Sequence, residues 1–416
     1  MRCHPEVSQT YLDNETKQII GKIRERGRAW IVGGWIRDQV LGINTGDVDI
    51  ATNLLPKEVL EIFPHSIMVG EKFGTVKVRN SSKSKEVEVT TLRSDGIYVD
   101  GRRPENVKFG VDIEEDISRR DFTINAMALD EHDNLIDKFG GISDLDNNVL
   151  RCVGNADERI KEDSLRIMRA FRFIGLKKNQ IMTFDSELKN GIINNVGMIN
   201  NVSKERINQE LKKIMISNNS MEILEKMNEL GVLERIFDNI EIDLGVILSN
   251  DYIVNVALIC KKYKSDGVAL SKYIQNKLKI SNREKEMIRF LHDNGIKIPD
   301  ITDIYEIRRF RASLSEEQKD SLFRYLQGLK INTYEVERLI DNLEPLKVGN
   351  NPLVNGDILI QTTGLKPDIR LGKLKGWLHR KQIEMDLGDI QDVLELLNEI
   401  DWQNSDPEEW SALSWP

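Results

Sequence analysis

Hydrophobic patterning changes character part-way along this chain, and that change limits the available folds more than any single motif does. Between residues 15 and 139 short apolar runs alternate with helical stretches, whereas beyond about 155 strand signals vanish and helical periodicity continues almost to the end. The spacing predicts strands over 29–32, 48–51, 75–78 and 86–91, the last reading EVEVTT with β-branched residues in alternation. Helices are expected over 36–41 and over 57–62, the second started by Pro56. The expected fold class is therefore an α/β (α+β) head over 1–139, followed by an all-helical neck (140–217), body (218–300) and tail (301–416). Polar breaks stand at SNNS (217–220) and NNPLVNGD (350–357).

A chain of 416 residues is too long for one compact core, so several domains are expected. With 40% hydrophobic and 31% charged residues the composition is that of a folded globular protein. No apolar run of about eighteen residues is present, so no membrane partner is expected. The N-terminal stretch carries Glu6, Asp13 and Glu15 and has no apolar segment behind a basic start, which points to a cytoplasmic address. The cysteines Cys3, Cys152 and Cys260 have neither disulfide pairing nor zinc-site spacing. A formal charge of -9 argues against indiscriminate nucleic-acid binding and leaves room for a local basic groove.

The stretch VGGWIRDQVLGINTGDVDIAT (32–52) packs a glycine pair, an Arg-Asp pair and two aspartates into about twenty positions. Glycines before a helix let the backbone approach a bulky anion, which makes Gly34 and Arg37 candidates for holding phosphates. Asp47 and Asp49 are i and i+2; on a strand both project from one face, roughly 7 Å apart. Hard oxygens grouped in this way suit Mg²⁺, which takes one or two carboxylates plus substrate phosphates. Two such ions would activate an attacking hydroxyl and neutralise a departing pyrophosphate. A second motif, SRRDFTINAMALD (118–130), offers Arg120 for phosphate and Asp121 and Asn125 for sugar hydroxyls. Its Phe122, Ile124 and Met127 are expected in the core. Glu88 is a possible third carboxylate, although an exposed strand glutamate is its simpler reading.

These motifs, with FGTV (73–76), TTLRSDGIYVDGRRPENV (90–107) and DKFGGISDL (137–145), resemble the class II tRNA nucleotidyltransferases, the CCA-adding enzymes with their bacterial poly(A) polymerase relatives. The likeness runs from about residue 28 to 236 and continues weakly to the tail. It implies a nucleotidyltransferase head, CTP and ATP as substrates, Mg²⁺ as cofactor and tRNA as partner. Its implied product is C, C and A added to the tRNA 3′ end without a nucleic-acid template. Family members with another product (A-adding, CC-adding or poly(A)) and an inactive RNA-binding module are the competing readings. FGTV and the complete loop around 93–104 favour CCA addition.

The segment KEDSLRIMRAFRF (161–173) reads as one helix with Ile160, Ile167, Met168, Phe171 and Ile174 on an apolar stripe. Glu162, Asp163, Arg166, Arg169 and Arg172 fall on the other side. By spacing alone Asp163 and Arg166 form an i,i+3 surface ion pair, worth on the order of a few tenths of a kcal/mol. Chemistry offers a sharper reading. Cytosine and adenine each present an exocyclic amine beside a ring-nitrogen acceptor, so an aspartate that accepts and an arginine that donates match both and mismatch uracil and guanine. The resemblance implies this role for Asp163 and Arg166, with Arg169 and Arg172 also contacting nucleotide. A hinge is expected at Gly140-Gly141, and a capped amphipathic helix over 201–213 with Ser203 as N-cap and Arg206, Glu210 and Lys213 exposed. Basic clusters at Arg308, Arg309 and Arg311, and at Lys373, Lys375, Arg380 and Lys381, read either as tRNA contacts or as solvated helix faces. The sequence departs from the family pattern at Trp35, Lys138 and Ser164, the last two standing where prolines are common.

Overall fold

The structure is a computed structural model that describes residues 7–69, 74–96, 107–238 and 240–416. Phe73 of the FGTV stretch and Asp100, Gly101, Arg102 and Arg103 of the polar loop lie outside the described residues. The chain divides into two compact units, Met1–Asn239 and Ile240–Pro416.

The first unit is built on strands β1 (Ala29–Val32), β2 (Asp49–Thr52), β3 (Ile67–Met68), β4 (Thr75–Val78), β5 (Val87–Thr91), β6 (Arg93–Asp95), β7 (Val107–Phe109), β8 (Ala128–Leu129) and β9 (Leu135–Ile136). Seven of them form a mixed sheet in the order β3-β4-β5-β2-β1-β8-β9, and β6 pairs with β7 as a separate ribbon. The pair β2 and β5 runs parallel, while β1 is antiparallel to both its neighbours. Helices α1 (Asn14–Arg24), α2 (Gly34–Val40), α3 (Pro56–Ile62) and α4 (Ile113–Ser118) belong to this part. One sheet face is sealed by a cluster in which Trp30, Val32, Ala51, Ala126 and Ala128 meet Ile113 and Ile117 of α4. Two expected strands coincide with β1 and β4, and the other two start one residue late.

The helical part of this unit contains α5 (Gly141–Asp146), α6 (Ala156–Glu162), α7 (Leu165–Ile174), α8 (Ser186–Asn195), α9 (Lys204–Met215), α10 (Ser220–Glu229) and α11 (Val232–Ile236). It is not purely helical. Val149–Leu150 (β10) pairs in parallel with Thr183–Phe184 (β11), two-residue strands too short to leave a periodic signal. Nor is 161–173 one helix. Asp163 ends α6 with φ −142 and ψ 100, and its Oδ1 accepts the amide of Leu165, the first residue of α7, so the aspartate interrupts the helix instead of continuing it. The apolar stripe nevertheless holds: Ile160, Ile167, Met168, Phe171 and Ile174 are fully buried. The unit continues past 217 because α10 packs on α7 and α9, with Asn219 Nδ2 donating to the Lys177 carbonyl at 2.6 Å.

At α9 the expected helix forms with Lys213 exposed and Arg206 half-buried, but the expected face is not wholly solvated. Glu210 is buried, and Ser203 makes no side-chain cap. Gly140 takes φ 73, whereas Gly141 is packed so tightly that a Cβ would lie 2.4 Å from the Thr123 carbonyl oxygen. Gly141 thus accepts no side chain, and Gly140 supplies the left-handed turn.

The second unit runs from α12 (Tyr252–Ile259) to α20 (Ile390–Glu395), with one core around Val354, Leu359, Leu374, Trp377, Leu378 and Val393. Its basic clusters are drawn into the fold. Arg308 donates to the Glu384 carbonyl, Arg309 reaches the Glu384 carboxylate at 3.5 Å, and Arg311 donates to the carbonyls of Leu343 and Glu344. Lys373 pairs with Glu408, and Arg380 and Lys381 pair with Glu384; Lys375 alone of the second cluster is exposed without a described partner.

Ser164 yields a prediction. Its hydroxyl is buried without a hydrogen-bond partner, its φ of −66 suits proline, and Asp163 before it is extended. Ser164→Pro should raise stability by about 0.5–1 kcal/mol in a urea melt. A marked drop in the midpoint would contradict this description of the turn.

Candidate active site: two carboxylates, an arginine cradle and a reading corner

The register of the sheet places the acidic groups. Asp49 is the first residue of β2, opposite Val32 on one side and in register with Glu88 of β5 on the other, so Asp49 and Glu88 lie on the same face. Asp47 precedes the strand, in extended chain rather than in β2 itself, and is exposed. None of the three carboxylates makes an ion pair with a described residue. Asp49 is solvent-accessible, yet enough protein surrounds it for desolvation to lift its carboxyl above the ordinary value. Arg120 opposes that shift, Glu88 and Asp47 add to it, and Arg37 opposes it again. Among the described residues no three His, Cys, Asp or Glu side chains converge into a complete metal cage. Two unpaired, mutually repelling carboxylates fit a hard divalent cation that completes its shell with water and phosphate.

Over the glycines sits Arg120. Gly33 has φ 75, and a Cβ there would fall 2.7 Å from Arg120 Nη1, so this position accepts only glycine on both conformational and steric grounds. The close approach expected at Gly34 is therefore carried chiefly by its neighbour; a Cβ on Gly34 would meet Arg37 Nη2 at 3.4 Å. Arg120 is held loosely by Asp116 at 3.5 Å, and its Nε is buried without a partner. Donor capacity is left over for an anion.

Arg37 is buried, donating through Nη1 to Asn125 Oδ1 at 2.6 Å and pairing with Asp38 at 2.7 Å. Asn125 in turn donates to Asp121 at 3.0 Å, and Asp121 pairs with Arg169 of α7 at 2.5 Å. Asp121 and Asn125, read as sugar contacts, thus tie Arg37 to the neck. Burial pushes the Asp121 carboxyl up, but Arg169, Asn125 and the Phe122 amide outweigh it and hold it at about 2. Phe122, Ile124 and Met127 are fully buried, as their pattern predicts.

The reading corner is wired differently from the simple i,i+3 pair. Asp163 meets Arg206 of α9 at 3.0 Å, while Arg166, buried, pairs with Glu162 at 2.8 Å and donates to the Arg159 carbonyl. Breaking the helix at Asp163 turns its carboxylate toward α9 and away from Arg166. Arg172 pairs with the buried Glu210 at 2.6 Å. Arg159 joins this corner to the head, donating to the backbone carbonyls of Arg119 and Arg120 and pairing with Glu162. Arg206, Glu210 and Arg159 were legible only as charged positions on helices, since their partners are distant in sequence.

A family described as Poly A polymerase head domain matches residues 29–151, and one described as a probable RNA and SrmB-binding site of polymerase A matches residues 182–243. A CCA-adding enzyme of Ligilactobacillus salivarius is 32% identical over 394 residues, covering 92% of this chain and 94% of that protein. The chain belongs to the CCA-adding enzyme family. A second member, from Geobacillus thermodenitrificans, is 44% identical over 221 residues, 52% of this chain and 53% of its own length. A solved structure described as the Bacillus stearothermophilus CCA-adding enzyme in complex with CTP matches with a TM-score of 0.77 at 26% identity, covering 94% of this chain and 98% of that one. Membership makes the chain a nucleotidyltransferase, and no helix among the described residues is long and apolar enough to cross a membrane.

Two predictions follow the charges. A carboxyl whose folded value is raised destabilises the fold once it ionises, so at neutral pH Asp49→Asn should leave the melting temperature unchanged or raise it in a chelator. Divalent metal should then raise the melting temperature of the parent protein and not of the variant; equal shifts would remove Asp49 from the metal site. For Asp121 the sign reverses. Its lowered value stabilises the fold above the unfolded carboxyl value and loses that contribution as pH falls toward about 2. Asp121→Asn should cost on the order of 2 kcal/mol at pH 7 and flatten the acid-unfolding limb below about pH 4.

Proposed function

We propose that this member of the family adds C, C and A to the 3′ end of tRNA from CTP and ATP, in the cytoplasm, with Mg²⁺ as the divalent cation and pyrophosphate as the leaving group. The observation that carries the residue assignment is the ion pair between Asp121 and Arg169. It brings the head motif that bears Arg120 against the helix that bears Arg166, Arg169 and Arg172.

Asp47 and Asp49 would hold the metal. When bound, such ions supply Lewis-acid activation of the attacking hydroxyl and charge neutralisation on the leaving phosphates, the two-metal logic of in-line phosphoryl transfer. The chain's own groups do the rest. Gly33 and Gly34 leave room beside Arg120 for a triphosphate, and Arg37 and Arg120 donate to its oxygens. Arg169 and Arg172 extend that positive field to the neck, and Asp163 and Arg166 read the base. Asp163 Oδ1 accepts from both the Leu165 amide and Arg206, whereas Oδ2 accepts from Arg206 and keeps a lone pair for an exocyclic amine. Uracil or guanine would present a carbonyl to that carboxylate and an N–H to Arg166, leaving buried polar groups unpaired at about 1 to 3 kcal/mol each.

The same division of labour assigns catalysis to 1–139, base selection to 140–217 and tRNA contact to the helical regions 218–300 and 301–416. The match of 182–243 to an RNA-binding family supports tRNA contact beginning in the neck. Because Arg308, Arg309, Arg311, Arg380 and Lys381 are committed to contacts within the fold, they are weak candidates for following RNA phosphates. An inactive RNA-binding module is disfavoured by Asp47 and Asp49, since a binding module gains nothing from two unpaired carboxylates.

Asp163→Ala should relax base choice, seen as UTP and GTP incorporation rising by about tenfold relative to CTP and ATP. Unchanged ratios across the four triphosphates would refute base reading by this residue.

A further inference from the structure

Phe173 lies near the end of α7 and is 3% exposed. Three guanidinium groups stand over its ring: Arg172 at 4.1 Å, Arg169 at 5.1 Å and Arg37 at 5.2 Å from the centroid. Arg37 comes from the head and the other two come from the neck. Each is also met by a carboxylate, Asp38 for Arg37, Asp121 for Arg169 and Glu210 for Arg172. The ring makes an edge-to-face contact with Phe122 at 5.5 Å, and Phe122 follows Asp121 in the head motif.

Like charges do not gather without cause. Desolvation and then the charge of Arg169 hold the Arg172 guanidinium below its ordinary value. The carboxylates answer part of this repulsion, but Arg172 is tied to Glu210 through its Nε alone. An aromatic face adds an attraction that a carboxylate cannot. It attracts each guanidinium through the ring quadrupole without occupying its N–H donors.

We propose that Phe173 is a positioning residue for the incoming triphosphate: its ring sets the orientations in which Arg37, Arg169 and Arg172 converge on the polyphosphate. The inference rests on the reading that these arginines hold nucleotide. It concerns phosphate affinity and not base choice, because Asp163 and Arg166 take their partners from Arg206 and Glu162.

The test replaces Phe173 by mono-, di- and trifluorinated phenylalanine, which drains the negative ring face at nearly constant shape, alongside Phe173→Leu, Phe173→Tyr and Arg172→Ala. Calorimetric titration of the full chain with tripolyphosphate, CTP and ATP is read with steady-state kinetics. Affinity for all three ligands should fall stepwise with fluorination, reaching about tenfold in the trifluoro protein and in Phe173→Leu. KM should rise with kcat little changed, the preference for C and A over U and G should hold, and Phe173→Tyr should recover most of the affinity. A flat fluorination series beside a weakened Arg172→Ala overturns the role of the ring alone. A flat series beside an unweakened Arg172→Ala overturns the nucleotide contact on which it rests.

Discussion

The ion pair between Asp121 and Arg169 is the contact on which the site depends. It is the point where a sheet-based head and a helical neck become one binding surface, and it is held at both ends. Asp121 also accepts from Asn125 and the Phe122 amide, and Asn125 passes the restraint on to Arg37. Removing Asp121 would strand the Arg169 charge at a cost on the order of 2 kcal/mol, so the pair constrains geometry even where its net contribution to stability is modest. Arg159 provides a second tie, from neck side chain to head backbone, at the carbonyls of Arg119 and Arg120. With two ties of this kind, the base-reading corner and the triphosphate cradle keep a fixed relation within the first unit.

Electrostatics divide the site into a region that is answered and one that is not. Arg37, Arg169, Arg172, Asp163 and Arg166 each have an opposite charge within ion-pair distance. Asp47, Asp49 and Glu88 have none among the described residues, and Arg120 keeps a buried donor unused. The unanswered carboxylates lie near a glycine pair beside which Arg120 is held only loosely, by Asp116 at 3.5 Å. A metal-bound nucleoside triphosphate carries both complements: cations for the carboxylates and phosphate oxygens for Arg120. On the proposed function, such a ligand would offset the lift of the Asp49 carboxyl above its ordinary value.

Much of this was legible in the sequence because local pattern and global fold agree in the head. Alternation in EVEVTT, the apolar run at 29–32 and the proline at 56 each demanded the element that forms. Motif spacing likewise singled out Asp47, Asp49 and Arg37 within one short stretch and Arg120 in a second motif, and the fold brings Arg120 beside Gly33 of the first. The neck was less readable. Asp163 sits inside a helical periodicity and interrupts it, because a short side chain that hydrogen-bonds the backbone two residues on offers an alternative to the helix. Glu210 belongs to the charged face of α9 by spacing, yet it is buried because Arg172 supplies its counter-charge from another helix. In the second unit, a cluster of arginines gave no sign that Glu384 and nearby carbonyls would consume it. For Glu210 and for Arg308 and Arg309 the deciding partner lies far away in sequence.

The most direct measurement of the central claim, that side chains alone choose the bases at this site, is to incubate a tRNA lacking its 3′ terminus with CTP, with ATP and with both, and to size the products. The account predicts two added nucleotides with CTP, three with both together, and termination there although substrate remains. A ladder of As from ATP alone, or growth past three with the mixture, would contradict it.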